Sequence, residues 1–223
     1  MIIDCISDLH GFYPKTEGGD LLIVAGDLTA RDDCAGYLKF LSWLHKQKYK
    51  HYIFIAGNHD HILEDEIVLT TSLDRTSYLC DSGMEFEGLK IWGSPWSLHF
   101  DGINPKCTAF TSSEELLASK FSLIPDDTDI LVTHTPPNGT LDYKHKKVGP
   151  AFFVLENVGS ESLKNELYRI RPKLHVYGHI HEGYGQYRPN LGFVDCPGYP
   201  IYVNASHVNG RYEPVNAPIR VIL

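Results

Sequence analysis

The chain reads as an α/β protein in which two β-sheets pack face to face under outer helices. Three observations lead there. Short apolar runs rich in Ile, Val and Leu recur along its 223 residues, each of a length suited to a buried strand. In the first part they alternate with stretches of helical period, and the last part is strand-rich and punctuated by Gly and Pro. With no repeat, linker or low-complexity segment, residues 1–223 are expected to form a single domain.

The expected strands are Ile2–Ser7, Leu21–Ala25, Tyr52–Ala56, Leu89–Trp92, Ile130–Thr133 and Leu174–Tyr177. Shorter ones are expected at Gly192–Val194, Ile201–Asn204 and Ile219–Leu223. Runs this short do not by periodicity alone exclude buried helix segments. Ala35–Lys46 carries an apolar stripe at 37, 38, 41 and 44, and Ser160–Ile170 one at Leu163, Leu167 and Ile170. The second opens on a capping Ser and stops before Arg171-Pro172. Ser112–Lys120 is a weaker helical stretch, and Asn138–Pro150 reads as a solvated loop.

Composition narrows the function. A net charge of −8 disfavours a sequence-independent grip on long nucleic acid. The five cysteines are odd in number and form no C-x-x-C pair, so they read as reduced thiols, with Cys5 buried in the first strand. The N-terminus lacks a basic leader region, and no apolar run approaches the roughly 20 residues that span a bilayer. A cytoplasmic protein is expected.

Ligand-type residues stand where the apolar runs end. Asp8-Leu9-His10 follows the first; on an extended backbone residues two apart project to one side, so both can reach one ion. Gly26-Asp27 follows Leu-Leu-Ile-Val-Ala, and the two oxygens of Asp27 make it the candidate bridge between two cations. Gly57-Asn58-His59-Asp60 offers an amide oxygen at Asn58 and a histidine, His59, whose tautomer Asp60 is expected to hold. His134 follows Ile-Leu-Val-Thr, and Gly178-His179-Ile180-His181 follows Leu-His-Val-Tyr. His59-Asp60-His61 is also an H-x-H, and spacing does not choose between that pair and His179/His181. No cluster decides alone. Five ligand-type features, each at the end of a separate apolar run and three of them preceded by Gly, point to a metal site.

The set D-x-H, G-D, G-N-H-D, a lone H and G-H-x-H, in that order from Asp8 to His181, resembles the calcineurin-like metallophosphoesterase superfamily. Gly93-Ser94-Pro95-Trp96, Thr133-His134-Thr135-Pro136-Pro137 and the stretch from Gly178 to Gly185 are similar to its small metallophosphoesterase-domain branch, related to the class III cyclic nucleotide phosphodiesterases. The resemblance implies a four-layer α/β/β/α sandwich of two mixed β-sheets flanked by helices. It implies a first ion on Asp8, His10, Asp27 and His181, and a second on Asp27, Asn58, His134 and His179. His59 would face the leaving group with Asp60 behind it, and His61 would have no metal role. The protein phosphatases of the superfamily carry Arg before G-N-H, where this chain has Ala56, which disfavours protein phosphatase activity.

The expected activity is therefore binuclear metal-dependent hydrolysis of small or nucleotide phosphodiesters. Thiolate-free ligands suit Mn²⁺ best, with Fe or Zn²⁺ as alternatives. The rival readings are a phosphomonoesterase, a nucleotide-binding regulator of low turnover, and a nuclease. Open candidates for substrate contact are Arg31, four residues after Asp27, Trp96 and His99 after the Gly-Ser-Pro turn, and the segment Lys144, His145, Lys146 and Lys147.

Overall fold

A computed structural model describes residues 1–64, 74–99, 107–149, 152–189 and 199–223. In chain order the elements are β1 (Ile2–Ile6), β2 (Gly19–Ala25), α1 (Cys34–Leu44), β3 (Tyr49–Ile55), α2 (His61–Glu64), β4 (Thr76–Tyr78), β5 (Ser82–Phe86) and β6 (Leu89–Ser94). There follow β7 (Ser97–Leu98), β8 (Thr111–Ser112), α3 (Glu114–Phe121), β9 (Ile130–Thr133), β10 (Tyr143–Lys147) and β11 (Phe153–Asn157). The chain closes with α4 (Glu161–Ile170), β12 (Leu174–Tyr177), β13 (Gly185–Tyr187), β14 (Ile201–Asn204) and β15 (Ile219–Ile222).

One sheet has the order β15-β1-β2-β3-β4, with β1 to β4 parallel and β15 antiparallel at its edge. The other runs β13-β14-β12-β9-β6-β5, parallel from β14 to β6 and antiparallel at both edges. Alternate residues of their strands explain the layering. Ile3, Leu21, Ile23, Ile53 and Ile55 of the first sheet meet Ile91, Ile130, Val132, Val176 and Val203 of the second in one buried layer. The opposite faces bind helices. Leu22, Val24, Tyr52 and Phe54 pack on Tyr37, Phe40, Leu41 and Leu44 of α1, and Leu131 packs on Leu117 and Phe121 of α3 and Leu163 and Leu167 of α4. The result is the expected α/β/β/α order.

Local chemistry sets the helix ends. Ser160 caps α4 by accepting from Leu163 N at 3.1 Å, and Arg171 closes it in left-handed backbone before Pro172. Asp33 caps α1 through Gly36 N at 2.7 Å. Three expectations change. The anticipated loop Asn138–Pro150 contains β10, paired antiparallel with β11 so that Lys146 meets Glu156 at 2.6 Å. Strand β5 had no apolar run to announce it; it pairs with β6 through the turn at Glu87-Gly88, both in left-handed backbone. The third helix starts at Glu114, because Ser112 belongs to β8. The expected strand Gly192–Val194 and the thiol of Cys196 lie outside the described residues. Cys5 is fully buried in β1, and burial pushes its thiol well above the usual range. Among the described residues no helix is long and apolar enough to cross a membrane.

Candidate metal centre

Five parallel strands, β1, β2 and β3 of one sheet and β9 and β12 of the other, deliver their carboxyl ends to one edge of the sandwich. Every ligand-type residue lies just past such an end, the usual place for sites in parallel α/β sheets. The backbone there is not extended. Asp8, His10, Asp27 and His179 all have positive φ, at 50°, 42°, 54° and 66°. Asp8 and His10 therefore converge through a left-handed turn, and the expectation that strand alternation aligns them is corrected. Asp8 N donates to Gly26 O and His10 N to Asp27 O, each at 3.0 Å, which ties the turn after β1 to the turn after β2. Such conformations cost on the order of 1–3 kcal/mol each and gather at functional sites.

The side chains form two adjoining sets. In the first, His181 Nε2 lies 3.2 Å from Asp8 Oδ1, and His10 Nε2 lies 3.5 Å from Asp27 Oδ2. In the second, Asn58 Oδ1 lies 3.0 Å from His134 Nε2 and 2.9 Å from His179 Nδ1, with Asp27 Oδ1 3.4 Å from His134 Nε2. Asp27 is common to both sets. The surroundings fix the tautomers: His134 Nδ1 donates to Ala25 O at 2.9 Å and His181 Nδ1 to Asn209 O at 3.1 Å, so each presents Nε2 inward. Asn58 Nδ2 donates to Cys107 O at 3.2 Å, which turns its amide oxygen into the cluster.

This closeness needs missing side chains. A Cβ on Gly178 would lie 2.1 Å from Asp8 Oδ2, and one on Gly57 would lie 2.3 Å from Asp27 Oδ1. Electrostatics follow from burial and crowding. Burial opposes ionisation of Asp27, yet the imidazoles of His134, His59 and His10 hold its carboxyl well below the usual range. Burial opposes the charged form of His134 too, but the Asp27 and Asp8 carboxylates raise it to about 9. For His10 burial prevails and lowers it to about 4.

Asp60 has a different task from the one expected. Its buried carboxylate accepts from Leu28 N at 3.1 Å and Gly57 N at 2.8 Å, clamping the turns after β2 and β3 together. Burial and neighbouring Asp27 raise this carboxyl, and the N–H donors of Gly57 and Leu28 work against them. The atom that faces His59 Nδ1 is Cys107 Sγ, at 3.4 Å. His59 Nε2 points the other way, 3.9 Å from Asp27 Oδ2. His61 turns outward to Asp32 Oδ2 at 2.9 Å and Thr108 Oγ1 at 3.2 Å, so it is the His179/His181 pair that enters the cluster.

The other candidates divide. Trp96 is half-buried: its Nε1 donates to Asp81 Oδ2 at 2.8 Å and Lys120 Nζ sits 4.2 Å above its ring, which makes it a pin for α3. His99 and Arg31 are exposed, as are Lys146 and Lys147, whereas Lys144 is near enough to act electrostatically on His179. Sequence reasoning missed Cys107, Asn209 and Tyr212. Only Asn209-Gly210, a turn dipeptide, carried any signal.

The donors suit hard or borderline divalent cations. In the neutral tautomer that Ala25 O fixes, His134 would turn an Nε2 lone pair toward Asn58 Oδ1, and His10 Nε2 is buried without a hydrogen bond. Converging acceptors of this kind are reconciled by a cation. Three triads of ligand atoms, Asp8/His10/His181, His10/Asp27/His59 and Asp8/Asp27/His134, each fall within 4.8 Å. A family model described as Calcineurin-like phosphoesterase matches residues 1–183. The chain belongs to that family. It is 35% identical to Metallophosphoesterase domain-containing protein 1 of Homo sapiens over 98% of this chain and 70% of that protein. A UPF0046 protein of Caenorhabditis elegans is 31% identical over 95% of this chain and 78% of its own length. Among solved structures, the phosphopantetheinyl hydrolase of Mycobacterium tuberculosis superposes with a TM-score of 0.58 at 19% identity, covering 99% of this chain and 95% of that one. That likeness speaks for the fold. Family and cluster together make the class of chemistry metal-dependent phosphoester hydrolysis.

Proposed function

We propose that this chain is a binuclear phosphodiesterase for small or nucleotide phosphodiesters, with Mn²⁺ as its preferred ion. Asp8, His10, Asp27 and His181 hold one cation and Asp27, Asn58, His134 and His179 the other. The observation that carries the reading is Asp27, whose two oxygens face opposite sets of imidazoles. When bound, the cations supply charge neutralisation for the phosphate and a nucleophile at neutral pH.

The protein's own groups do the rest. Asp8 and Asp27, ionised by their imidazole neighbours, keep the ligand set anionic, and the clamps from Ala25 O and Asn209 O keep His134 and His181 aimed. His59 Nε2 lies at the edge of the cluster and donates a proton to the departing ester oxygen, while Cys107 holds its Nδ1 side. A singly charged diester fits better than a dianionic monoester. Ala56 is fully buried where the protein phosphatases carry Arg, and Arg31 is exposed on the turn beyond Asp27.

The test uses protein stripped and reloaded with Mn²⁺, assayed on bis-p-nitrophenyl phosphate, p-nitrophenyl phosphate and 2′,3′- and 3′,5′-cyclic nucleotides. Diester turnover should exceed monoester turnover. His59→Ala should lower kcat by roughly 10²–10⁴-fold, the usual scale of acid catalysis, with metal content near wild type. Metal loss in that variant would give His59 a ligand's role instead. Monoester preference would move the assignment to a phosphomonoesterase.

A further inference from the structure

The chain returns to the centre after the residues that the family model covers. Ser7 N donates to Ala205 O and His207 N to Ser7 O, both at 2.8 Å, so the segment after β14 is stitched to the end of β1 beside Asp8. It then makes a closed loop. Asn209 Oδ1 accepts from Arg211 N at 2.8 Å and Glu213 N at 3.1 Å, and its Nδ2 donates to Glu213 Oε2 at 2.8 Å. Asn209 O accepts from Tyr212 N at 2.8 Å and also orients His181. At the tip Tyr212 takes a left-handed φ of 60°, an uncommon backbone for an aromatic residue. Its ring stands 4.8 Å from His10, 5.3 Å from His181 and 6.4 Å from His59, steeply tilted to all three. It is still 51% exposed.

A half-exposed ring at the rim of the imidazole cluster, packed on imidazoles on one side and open to water on the other, is placed for contact with a bound molecule. A phosphoester seated among these imidazoles would have the Tyr212 ring, 4.8 Å from His10 and 6.4 Å from His59, beside its organic group. We propose that Tyr212 is the specificity-determining contact of the centre, stacking a planar aromatic group of the ester, either a nucleobase or an aryl ring. The inference rests on the reading of the cluster as a phosphoester centre. Stacking is favoured over a polar grip because the neighbours of the ring offer faces and edges, and because stacking tolerates any ring with a π-face.

Direct titration calorimetry on the Mn²⁺-loaded protein tests this without needing turnover. The probes are inorganic phosphate, glycerol 3-phosphate, phenyl phosphate and a nucleoside 5′-monophosphate. Tyr212→Ala should weaken the ring-bearing probes roughly 5- to 20-fold, the low end for base–aromatic stacking given the half-exposed ring, and the ringless probes less than about twofold. Tyr212→Phe should bind all four as wild type does. Loss for the nucleotide alone identifies a nucleobase, and loss for phenyl phosphate as well identifies any planar ring. Equal loss for all four probes would make Tyr212 a prop for the imidazoles and overturn the inference; no loss would overturn it too. If Tyr212→Ala fails to fold, Tyr212→Leu keeps apolar bulk without planarity and draws the same distinction. Wild-type protein that binds no inorganic phosphate would sink the phosphoester reading itself, an outcome separate from either of these.

Discussion

Adding one methyl group at Gly178 should disable the centre while leaving the sandwich folded. The new Cβ of Gly178→Ala would lie 2.1 Å from both Asp8 Oδ2 and Ser7 Oγ, where ordinary contact begins at 3.4 Å. The difference, 3.4 − 2.1, obliges the carboxylate or the glycine turn to yield by about 1.3 Å. Neither yields freely, since Asp8 accepts from His179 N at 3.0 Å and Ser7 Oγ donates to Ala25 O at 2.7 Å. Overpacking costs about 1–3 kcal/mol and a lost hydrogen bond to a carboxylate about 1.5–3 kcal/mol, together about 2.5–6 kcal/mol. For a domain of this size that lowers Tm by roughly 5–24 °C. A misplacement near 1 Å also costs on the order of 10²-fold in rate. Thermal unfolding with and without Mn²⁺, metal analysis and diester turnover read all three effects. A Gly178→Ala protein with wild-type metal content and kcat would refute the close-approach reasoning.

Further outcomes follow from the surroundings of the centre. Asp60→Asn should lower Tm, because one amide oxygen replaces the two carboxyl oxygens that accept from Leu28 and Gly57 N–H, yet leave the pH profile of kcat unmoved, since those oxygens bond backbone N–H groups and His59 Nδ1 faces Cys107; a displaced acid limb would restore the orienting role. His175 predicts acid sensitivity. Buried, with Nε2 donating to Thr133 Oγ1 at 2.9 Å, its imidazole is lowered by burial from 6.5 to about 3. The unfolded chain therefore takes up this proton first: the contribution is whole above the unfolded value and falls as the pH drops toward 3. Between pH 7.5 and 5 the loss is about 2 kcal/mol, and His175→Gln should flatten the slope of urea-unfolding free energy against pH by that amount. An unchanged slope would assign the acid sensitivity elsewhere.

Much of the molecule is legible in its sequence, because the patterns that announce it are local. Buried strands advertise themselves by short runs rich in Ile, Val and Leu, so β1, β2, β3, β6, β9, β12, β14 and β15 are legible in the sequence, and the amphipathic period with Ser160 and Arg171-Pro172 bounds α4. What escaped was structure without such a run. Strand β5 alternates half-buried with exposed residues, and β10 is held by pairing with β11 while its outer residues stay in water. The Asp8 and His10 pair shows a subtler limit: the residues were identified and the geometry that joins them was not.

Residue types and their order along the chain were enough to place carboxylates, an amide and imidazoles at the ends of successive strands, because those patterns are local. The convergence of β1 with β12, the choice of His179 and His181 over His61, the clamp made by Asp60 and the arrival of Tyr212 were not local. Each depends on segments more than thirty residues apart that meet when the two sheets pack, and no period or spacing records which turn will face which. The left-handed turns at Asp8, His10, Asp27 and His179 belong with them, since only the packed surroundings hold a backbone where an isolated chain would not stay.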